Sequence, residues 1–358
     1  MTADTINVGL IGYGFAGQVF HAPLLRTTPG LAIAAVSSRN PDKVRADLGS
    51  VAVHAEPAAL LADPDVALVV LASPNATHYP LARAALEAGK HVVVDKPFTD
   101  TAAQAAELVR LAEDKGLLLS VYHNRRWDST TRTALRLLAG GTLGQVRHAA
   151  MHFDRFRPQP QERWKEETDA GGGIWLDLGP HLIDEALLYF GEPLAIEADL
   201  PMLRPGSRCE DQFQARLRYA DGLRVDLGAS MLAAVARPRV ALHGLNGSWV
   251  KQSLDPQEAD LIAGRRPGGD AAAWGVDAET GVLAVLNDGK VASAAVPTEN
   301  GAYPSYYAGI RDALLGKAPN PVPAHQALTV MRLLDAGRIS AAERREVLLS
   351  EVPALSLP

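Results

Sequence analysis

The segment Ile6-Asn7-Val8-Gly9-Leu10-Ile11-Gly12-Tyr13-Gly14-Phe15-Ala16-Gly17 decides the fold class of this 358-residue chain. An apolar run leads directly into a G-x-G-x-x-G turn, and a helical pattern follows from about Phe15 to Arg26. Between a strand and a helix, such glycines permit a tight turn and a close approach of the backbone to a pyrophosphate. The pattern predicts a dinucleotide-binding turn, formed by Gly12, Gly14, Phe15, Ala16 and Gly17.

Apolar runs alternate with helical patterns through the first third of the chain. The runs recur at Leu31 to Ser37, Val66 to Ala72, His91 to Val94 and Leu117 to Tyr122. Strands that are apolar throughout and alternate with helices are typical of a parallel sheet with both faces covered. We predict an α/β domain at residues 1–122, a Rossmann doubly wound parallel sheet that binds NAD(P).

The pattern changes at residue 123, where a second, α+β domain is predicted to run to residue 358. Turn signals such as Asp221-Gly222 and Asn246-Gly247 separate strand-like stretches, which favours a large, mostly antiparallel open sheet. The segment Leu261 to Gly275 is predicted to be an exposed loop. The strand-like stretches are Val146 to Phe153, Leu194 to Leu200, Asp211 to Tyr219, Gly222 to Met231 and Val240 to Leu245. Helices are predicted at Ser129 to Ala139, Tyr303 to Leu315 and Ala324 to Ala342.

Composition and charge exclude several classes of function. The formal net charge is −6 and no long basic run occurs, so neither nucleic acid nor an anionic membrane is an expected partner. Cys209 is the single cysteine, which rules out an intrachain disulfide and a cysteine-based metal site. The start of the chain lacks signal-peptide features, and no apolar run approaches the roughly 20 residues of a membrane span. We expect a cytoplasmic protein.

The end of the second predicted strand discriminates between NADP and NAD. An acidic residue at this point would bind the ribose 2′-hydroxyl of NAD. The sequence has Ser37-Ser38-Arg39 instead, and Asp42 follows only after Pro41. Two hydroxyls and a guanidinium suit a 2′-phosphate, because arginine can contact phosphate in bidentate fashion. NADP is therefore the predicted cofactor, with NAD as the alternative if Arg39 is only a solvated turn residue.

Four further motifs resemble one enzyme family. They are Ser73-Pro74-Asn75-Ala76-Thr77-His78, Val92-Val93-Val94-Asp95-Lys96-Pro97, Tyr122-His123-Asn124-Arg125-Arg126-Trp127 and Gly171-Gly172-Gly173-Ile174-Trp175-Leu176-Asp177-Leu178-Gly179-Pro180-His181. Together they are similar to the glucose-fructose oxidoreductase/inositol dehydrogenase (Gfo/Idh/MocA) family. The family usually has Glu-Lys-Pro where this chain has Asp95-Lys96-Pro97, so the lysine is kept. His152 to Pro158 and Arg163-Trp164 most resemble its NADP-dependent scyllo-inositol dehydrogenase branch.

The resemblance implies an oxidoreductase that transfers a hydride between NADP and a CH–OH or C=O group of a sugar or cyclic polyol. It assigns catalysis to Lys96, Asp177 and His181. A lysine at a strand end can stabilise a developing alkoxide, and a histidine can accept the hydroxyl proton. Asp177 and His181 share a face if their segment is helical, although Pro180 between them disfavours a regular helix. We hypothesise that His181 is the base and Asp177 positions it or the substrate, with Lys96 as the alternative base.

Other residues are assigned to the cofactor or to the substrate. Further predicted cofactor residues are Ser73, Pro74, Asn75, His78, Asp95, Lys96, Asn124 and Arg125. Predicted substrate residues are Lys96, Tyr122, Arg155, Arg163, Trp164, Asp177 and His181. The alternative for Arg155, Arg163 and Trp164 is a pair of surface arginines and a core tryptophan.

The remaining expectations concern a metal site, the oligomeric state and an alternative function. His148 and His152 could share a strand face, but the sequence offers no convincing third ligand and we predict no metal site. Because the family commonly assembles through the open face of its second sheet, the resemblance implies a homodimer or homotetramer. A different small substrate such as an aldose or a diol, or a non-catalytic dinucleotide-binding sensor, is the alternative function.

Overall fold

The chain forms two compact units in the structure, a computed structural model that describes residues 5–161, 166, 172–268 and 273–352. The first unit consists of residues 1–124, 257–274 and 302–328, and the second of 125–256, 275–301 and 329–358. The sequence predicted one boundary after residue 122, whereas the units interleave along the chain. The later segments join the first unit through contacts such as the hydrogen bond between the Tyr306 and Ser120 hydroxyls, 2.9 Å.

The first unit contains the predicted parallel sheet, with Ala52–His54 as a sixth strand that the sequence analysis did not predict. The strand order is β3-β2-β1-β4-β5-β6. Neighbouring strands pair in parallel throughout, and Val8 and Leu10 of the central strand are fully buried. The strands are β1 (Ile6–Ile11), β2 (Leu31–Ser37), β3 (Ala52–His54), β4 (Leu68–Leu71), β5 (His91–Val94) and β6 (Leu119–Val121). The strand order reverses direction at β1, so the carboxyl ends of β1 and β4 form the edge where such sheets bind ligands.

Helices flank this sheet, and all but the helix Pro57–Leu61 lie near the positions that the periodicity indicated. Asn40 accepts the Lys43 N–H at the start of α2, and Thr101 accepts the Gln104 N–H at the start of α5, as helix caps do. A π-helical turn, Gly17–His21, opens the first helical segment. The α-helices are α1 (Ala22–Thr27), α2 (Pro41–Leu48), α3 (Pro57–Leu61), α4 (His78–Glu87) and α5 (Ala102–Asp114).

The prediction of an exposed loop at Leu261 to Gly275 was wrong for its described ends. Residues Gln257–Ile262 form a short helix, α8, and the side chains of Leu261 and Trp274 are buried. The Gln257 side-chain oxygen accepts hydrogen bonds from Trp274 Nε1 and from the Tyr303 N–H, both at 2.8 Å. These contacts join segments that are remote in sequence. The local Gly and Ala content cannot show such contacts, and by itself it pointed to a loop.

The second unit contains a nine-stranded, mostly antiparallel sheet, as predicted. Its order is β14-β13-β12-β11-β7-β10-β9-β8-β15, and only β7 and β10 pair in parallel. Strands β12 to β14 were not predicted, because β14 is exposed on both faces and so lacks an alternating pattern. The strands are β7 (Val146–His152), β8 (Ala195–Asp199), β9 (Gln212–Arg218), β10 (Arg224–Ser230), β11 (Val240–Gly244), β12 (Gly247–Lys251), β13 (Gly281–Asn287), β14 (Lys290–Val296) and β15 (Val347–Leu348).

Four longer helices complete the described fold. They are α6 (Ser129–Ala139), α7 (Ile174–Phe190), α9 (Pro304–Leu314) and α10 (Ala324–Glu343). Helix α7 packs on the sheet of the second unit, and Trp175 in its first turn is fully buried. The Trp175 indole N–H donates to the Leu334 carbonyl of α10 at 3.1 Å. Across the described residues, no helix combines the length and apolarity that a membrane crossing requires.

Gly337 of α10 lies against the ring of Trp175, and this contact yields a stability prediction. A Cβ at position 337 would lie 2.4 Å from Trp175 Cζ2, so either helix or ring must shift. We expect Gly337→Ala to lower the free energy of unfolding by about 1–3 kcal/mol, despite the better helix propensity of alanine. Urea unfolding followed by tryptophan fluorescence measures the change.

Gly268→Ala is the matched control, because the nearest atom to its added Cβ would be the Arg266 carbonyl oxygen at 3.9 Å. Its expected effect is within about 0.5 kcal/mol. A Gly337→Ala protein as stable as the control would contradict the close packing of α7 on α10.

Candidate active site

The glycine turn after β1 fits the pyrophosphate of a dinucleotide. Gly12 has a φ of +96°, and a Cβ there would lie 2.5 Å from the Ala72 carbonyl oxygen. A Cβ at Gly17 would lie 2.2 Å from the Gly12 carbonyl oxygen, whereas one at Gly14 would meet no protein atom within 4 Å. The protein itself therefore requires two of the glycines, and the third leaves the turn open to a ligand at the start of a helical segment.

Phe15 and Ala16, the other two residues of the predicted dinucleotide-binding turn, have different surroundings. The Phe15 side chain is 61% exposed and packs edge-to-face on Phe20 with 5.4 Å between ring centroids. Ala16 immediately precedes the π-helical turn. Their roles at the cofactor stay predictions.

The end of β2 presents the residues assigned to the 2′-phosphate. Ser37 is buried and its carbonyl accepts the Gly12 N–H at 3.0 Å, which ties this strand end to the glycine turn. The Ser38 hydroxyl accepts the Asn40 N–H at 3.1 Å. Arg39 is exposed and, within the described part of the chain, makes no hydrogen bond or ion pair. Its guanidinium is thus available to an anion.

Lys43 is a second cation here that the sequence analysis missed. Its Nζ donates to the Tyr13 carbonyl at 3.4 Å and lies 5.9 Å from the centroid of the Tyr13 ring. Lysine in the first turn of α2, four residues after Arg39, was the available signal. Two positive side chains thus follow β2 in sequence, and Lys43 lies at the glycine turn, where positive charge suits an anionic ligand.

His78 joins the loops that follow β4 and β5. Its Nδ1 lies 2.8 Å from the Pro97 carbonyl oxygen and its Nε2 lies 3.0 Å from the Ser73 carbonyl oxygen. Burial lowers the pKa of His78, while Asp95 and the two carbonyls oppose that shift. The Ser73 hydroxyl lies 2.7 Å from that of Thr77. His78 is thus a buried structural link beneath the predicted cofactor residues.

Two other predicted cofactor residues occupy the short helical turn between these loops. Pro74 caps the 3-10 helix Asn75–Thr77, and Asn75 is buried. Their contacts with the cofactor stay predictions.

Asp95 and Lys96 follow β5 at the same edge of the sheet as the glycine turn. One Asp95 carboxylate oxygen accepts the Lys96 N–H at 2.8 Å, and the Asp95 N–H donates to the Leu71 carbonyl. Burial alone would raise the pKa of Asp95, but His21 and the Lys96 and His78 charges lower it to about 2. The carboxylate is therefore ionised at neutral pH and lies next to the lysine assigned to catalysis.

Tyr122 and Asn124 lie at the end of β6 and are both buried. The Tyr122 ring packs against His21 at 4.4 Å and against Tyr306 and Tyr307 at 4.9 and 5.9 Å between centroids. This environment makes Tyr122 part of an aromatic cluster in the first unit. The predicted role of Tyr122 at the substrate stays a prediction.

The start of helix α7 at Ile174 lies against the partly buried Glu210. Gly173 has a φ of +104°, and a Cβ there would lie 2.1 Å from an oxygen of Glu210. The Glu210 carbonyl accepts the Ile174 N–H at 3.0 Å, and its carboxylate accepts the Trp175 N–H. Burial raises the pKa of Glu210, and these hydrogen bonds oppose that rise. Gly173 is thus required by the helix start, and Pro180 is accommodated inside a continuous helix.

Asp177 and His181 lie one turn apart on α7, on one face of the helix. His181 is 7% exposed. Asp177 lies in the first helical turn, where the helix dipole favours a negative charge. Arg155 Nη1 lies 3.6 Å from Asp177 Oδ2, with both side chains partly exposed. The second unit thus brings together three of the residues assigned to catalysis and substrate.

The ring of Phe153 supports Arg155 and Arg125. Their guanidinium carbons lie 5.1 and 4.6 Å from the ring centroid. Arg125 is 5% exposed and pairs with Asp128 at 3.2 Å, so it is held within the second unit. Its assignment to the cofactor stays a prediction, as does that of Arg155 to the substrate.

The remaining predicted residues have other surroundings. Arg163 and Trp164 lie outside the described residues. His148 pairs with Asp226 at 2.9 Å, and His152 Nδ1 lies 2.9 Å from the Pro238 carbonyl oxygen. In the described ranges, no group of three or more potential metal ligands of the His, Cys, Asp and Glu types comes together.

Comparisons with known proteins agree with this arrangement. Residues 6–123 match the model of the oxidoreductase family with an NAD-binding Rossmann fold, and residues 131–250 match the GFO/IDH/MocA C-terminal domain. The uncharacterized oxidoreductase YdgJ of Escherichia coli is 51% identical over 97% of this chain and 100% of its own length. The scyllo-inositol 2-dehydrogenase (NADP(+)) IolW of Bacillus subtilis is 36% identical over 97% and 96% of the two chains.

A solved structure extends the similarity to the whole fold. The YPO2259 protein of Yersinia pestis has a TM-score of 0.92 and 50% identity, with 97% of each chain covered. Both family models match this chain, and the glycine turn, the lysine after β5 and the two sheets are consistent with them. The chain therefore belongs to the Gfo/Idh/MocA family of oxidoreductases, which bind a nicotinamide dinucleotide on a Rossmann domain.

Proposed function

We propose that the protein is an NADP-dependent dehydrogenase of a CH–OH group in a sugar or an inositol-like cyclic polyol. The observation that carries the proposal is the placement of Lys96 and the glycine turn at one carboxyl edge of the parallel sheet. The name of IolW, scyllo-inositol 2-dehydrogenase (NADP(+)), supports the substrate class and the cofactor.

The proposed chemistry assigns one task to each side chain. When bound, the nicotinamide supplies the hydride acceptor. His181 takes the proton from the reacting hydroxyl as the hydride leaves its carbon, which converts the CH–OH group into a carbonyl. The Lys96 ammonium stabilises the alkoxide that develops, because a positive donor is strongest where water is excluded. Asp177 accepts a neighbouring hydroxyl or orients His181.

Arg155 and Asp177 are suited to a polyol because they supply a donor and an acceptor side by side. Arg155 Nη1 lies 3.6 Å from Asp177 Oδ2, and a guanidinium only donates hydrogen bonds whereas a carboxylate only accepts them. The flat face of Phe153 orients the Arg155 guanidinium. We propose that this pair recognises vicinal hydroxyls.

A homodimer or homotetramer and a cytoplasmic location are part of the proposal. The outer hairpin of the second sheet exposes large apolar side chains, which favours a protein partner there. Val282 and Leu286 of β13 are 53% and 59% exposed, and Val291 of β14 is 72% exposed. A second copy of the chain would cover such a surface.

Substitution of Arg39 tests the cofactor. We expect Arg39→Ala to raise the KM for NADP about 10- to 100-fold, because one charged hydrogen bond to the phosphate contributes roughly 1.5–3 kcal/mol. The KM for NAD should stay within about twofold, since NAD lacks the 2′-phosphate. Initial rates of nicotinamide reduction with each cofactor give both values.

Arg110→Ala is the control, because Arg110 is an exposed arginine on α5. It should leave both constants unchanged. Equal losses with NADP and NAD in Arg39→Ala would contradict a role in phosphate recognition.

Substitution of the proposed catalytic residues tests the reaction. With scyllo-inositol, myo-inositol, glucose or xylose as substrate, we expect Lys96→Ala and His181→Ala each to lower kcat about 100- to 10,000-fold. Absorbance of the reduced nicotinamide follows turnover, and its fluorescence measures NADPH binding. Loss of the base should also remove the acid limb of the kcat–pH profile, which distinguishes His181 from Lys96.

Lys115→Ala supplies the control, since Lys115 is exposed at the end of α5. Near wild-type turnover in His181→Ala would refute His181 as the base. Binding of NADPH without turnover of any polyol, aldose or diol would favour the non-catalytic sensor.

A further inference from the structure

His21 is a fully buried histidine at the end of the π-helical turn that follows the glycine turn. A π-turn adds a residue to a helix and redirects the side chains that follow, and such turns are frequent at functional sites. Here the π-turn brings His21 close to Asp95 in the loop after β5, which lies 74 residues further along the chain. None of the sequence motifs described above includes His21.

The two ring nitrogens of His21 have different partners. Nδ1 lies 2.6 Å from the Tyr307 hydroxyl of α9, and Nε2 lies 3.8 Å from the second carboxylate oxygen of Asp95. The ionised Asp95 carboxylate can only accept, so the ring proton belongs on Nε2. Nδ1 is then the acceptor, and Tyr307 donates its hydroxyl hydrogen. Burial raises the pKa of Tyr307, which keeps that hydrogen in place.

Aromatic rings surround His21, and Asp95 is a charged neighbour of its imidazole. The rings of Tyr122 and Tyr307 pack on it with centroids 4.4 and 6.2 Å away. The first Asp95 oxygen accepts the Lys96 N–H, so the carboxylate connects His21 to the backbone of Lys96. The Asp95 side chain is 18% exposed, and such partners stabilise a carboxylate that is largely shielded from water.

We propose that His21 is a positioning residue for Lys96 that acts through Asp95, with Tyr307 holding the imidazole. The chain Tyr307–His21–Asp95 orients the carboxylate, and the carboxylate orients the main chain from which the lysine projects. The proposal rests on the catalytic role of Lys96 proposed above. It adds Tyr307 and His21 to the residues that support the reaction, and it gives a second role to Asp95, which is also a predicted cofactor residue.

Two substitutions of His21 separate its two contacts. The amide of asparagine occupies the place of Nδ1 and keeps the link to Tyr307, whereas that of glutamine reaches the place of Nε2 and keeps the link to Asp95. We expect His21→Asn to lower kcat about 10- to 100-fold, since a displacement near 1 Å at a reacting group has that effect. His21→Gln should stay within about fivefold of wild type, and NADPH affinity should change less than about twofold in both.

Hydrogen exchange of the Lys96 amide gives a readout that does not depend on turnover. Its N–H donates to Asp95, and the next residue, Pro97, has no N–H. In the protein without cofactor, His21→Asn should speed this exchange about tenfold or more, and His21→Gln should leave it near wild type. Heteronuclear NMR resolves the single amide, and thermal unfolding shows that both variants are folded.

A double-mutant cycle tests whether His21 acts through Asp95. If it does, His21→Asn combined with Asp95→Asn should be no slower than the slower single variant, because both changes break the same chain of contacts. Tyr307→Phe should lower kcat, and Tyr306→Phe is its matched control. Tyr306 packs in the same aromatic cluster, but its hydroxyl bonds to Ser120 and should be dispensable for turnover.

Multiplicative losses in the cycle, or unchanged Lys96 exchange in His21→Asn, would overturn the proposal. Loss of activity in His21→Gln as large as in His21→Asn would also contradict it, because it would indicate a packing role. If Lys96→Ala itself kept turnover, the proposed function would fail, whereas the exchange experiment would still report on the contact between His21 and Asp95.

Discussion

The turn after β1 runs so close to the main chain beside it that Gly12 and Gly17 have no room for a side chain. The Gly12 N–H is also bonded to the Ser37 carbonyl at the end of β2. One turn therefore links the carboxyl ends of three neighbouring strands and sets the direction of the helix that leads to His21. Arg39 follows β2 and the Ser73 loop follows β4, so both come directly after strand ends that contact this turn.

In the second unit, buried ion pairs hold helix α7 in place. Arg126 bonds Asp184 with two hydrogen bonds of 2.6 and 2.8 Å, and Arg239 bonds Glu185, both in the second half of α7. Removal of one partner from such a pair leaves an uncompensated charge and costs about 3–5 kcal/mol. With Glu210 at its first turn, these pairs hold the helix that carries Asp177 and His181. The proposed base therefore stands on a rigid support, as catalysis by proton transfer requires.

Local sequence patterns predicted much of the architecture. β1, β2, β5 and α6 have the bounds that apolar runs and helical spacing indicated, because each is continuous and has clear turn residues at its ends. The hairpin of β13 and β14 was not predicted; the side chains of β14 are exposed along nearly the whole strand, so they do not alternate between a buried and an exposed face. The triple glycine before α7 indicated close backbone approach, and the structure gives the cause at Gly173, which is the Glu210 carboxylate.

The sequence by itself determined the Rossmann class, the antiparallel second sheet and the family, because glycine turns, apolar periodicity and contiguous motifs are all local. It also indicated Arg39, Lys96, Asp177 and His181 as candidates. Only the tertiary structure decided which side chains support them. Tyr307 reaches His21 across 286 positions of sequence, and Lys43 reaches Tyr13 across 30. Such contacts depend on how separate elements pack, and no spacing along the chain encodes that packing.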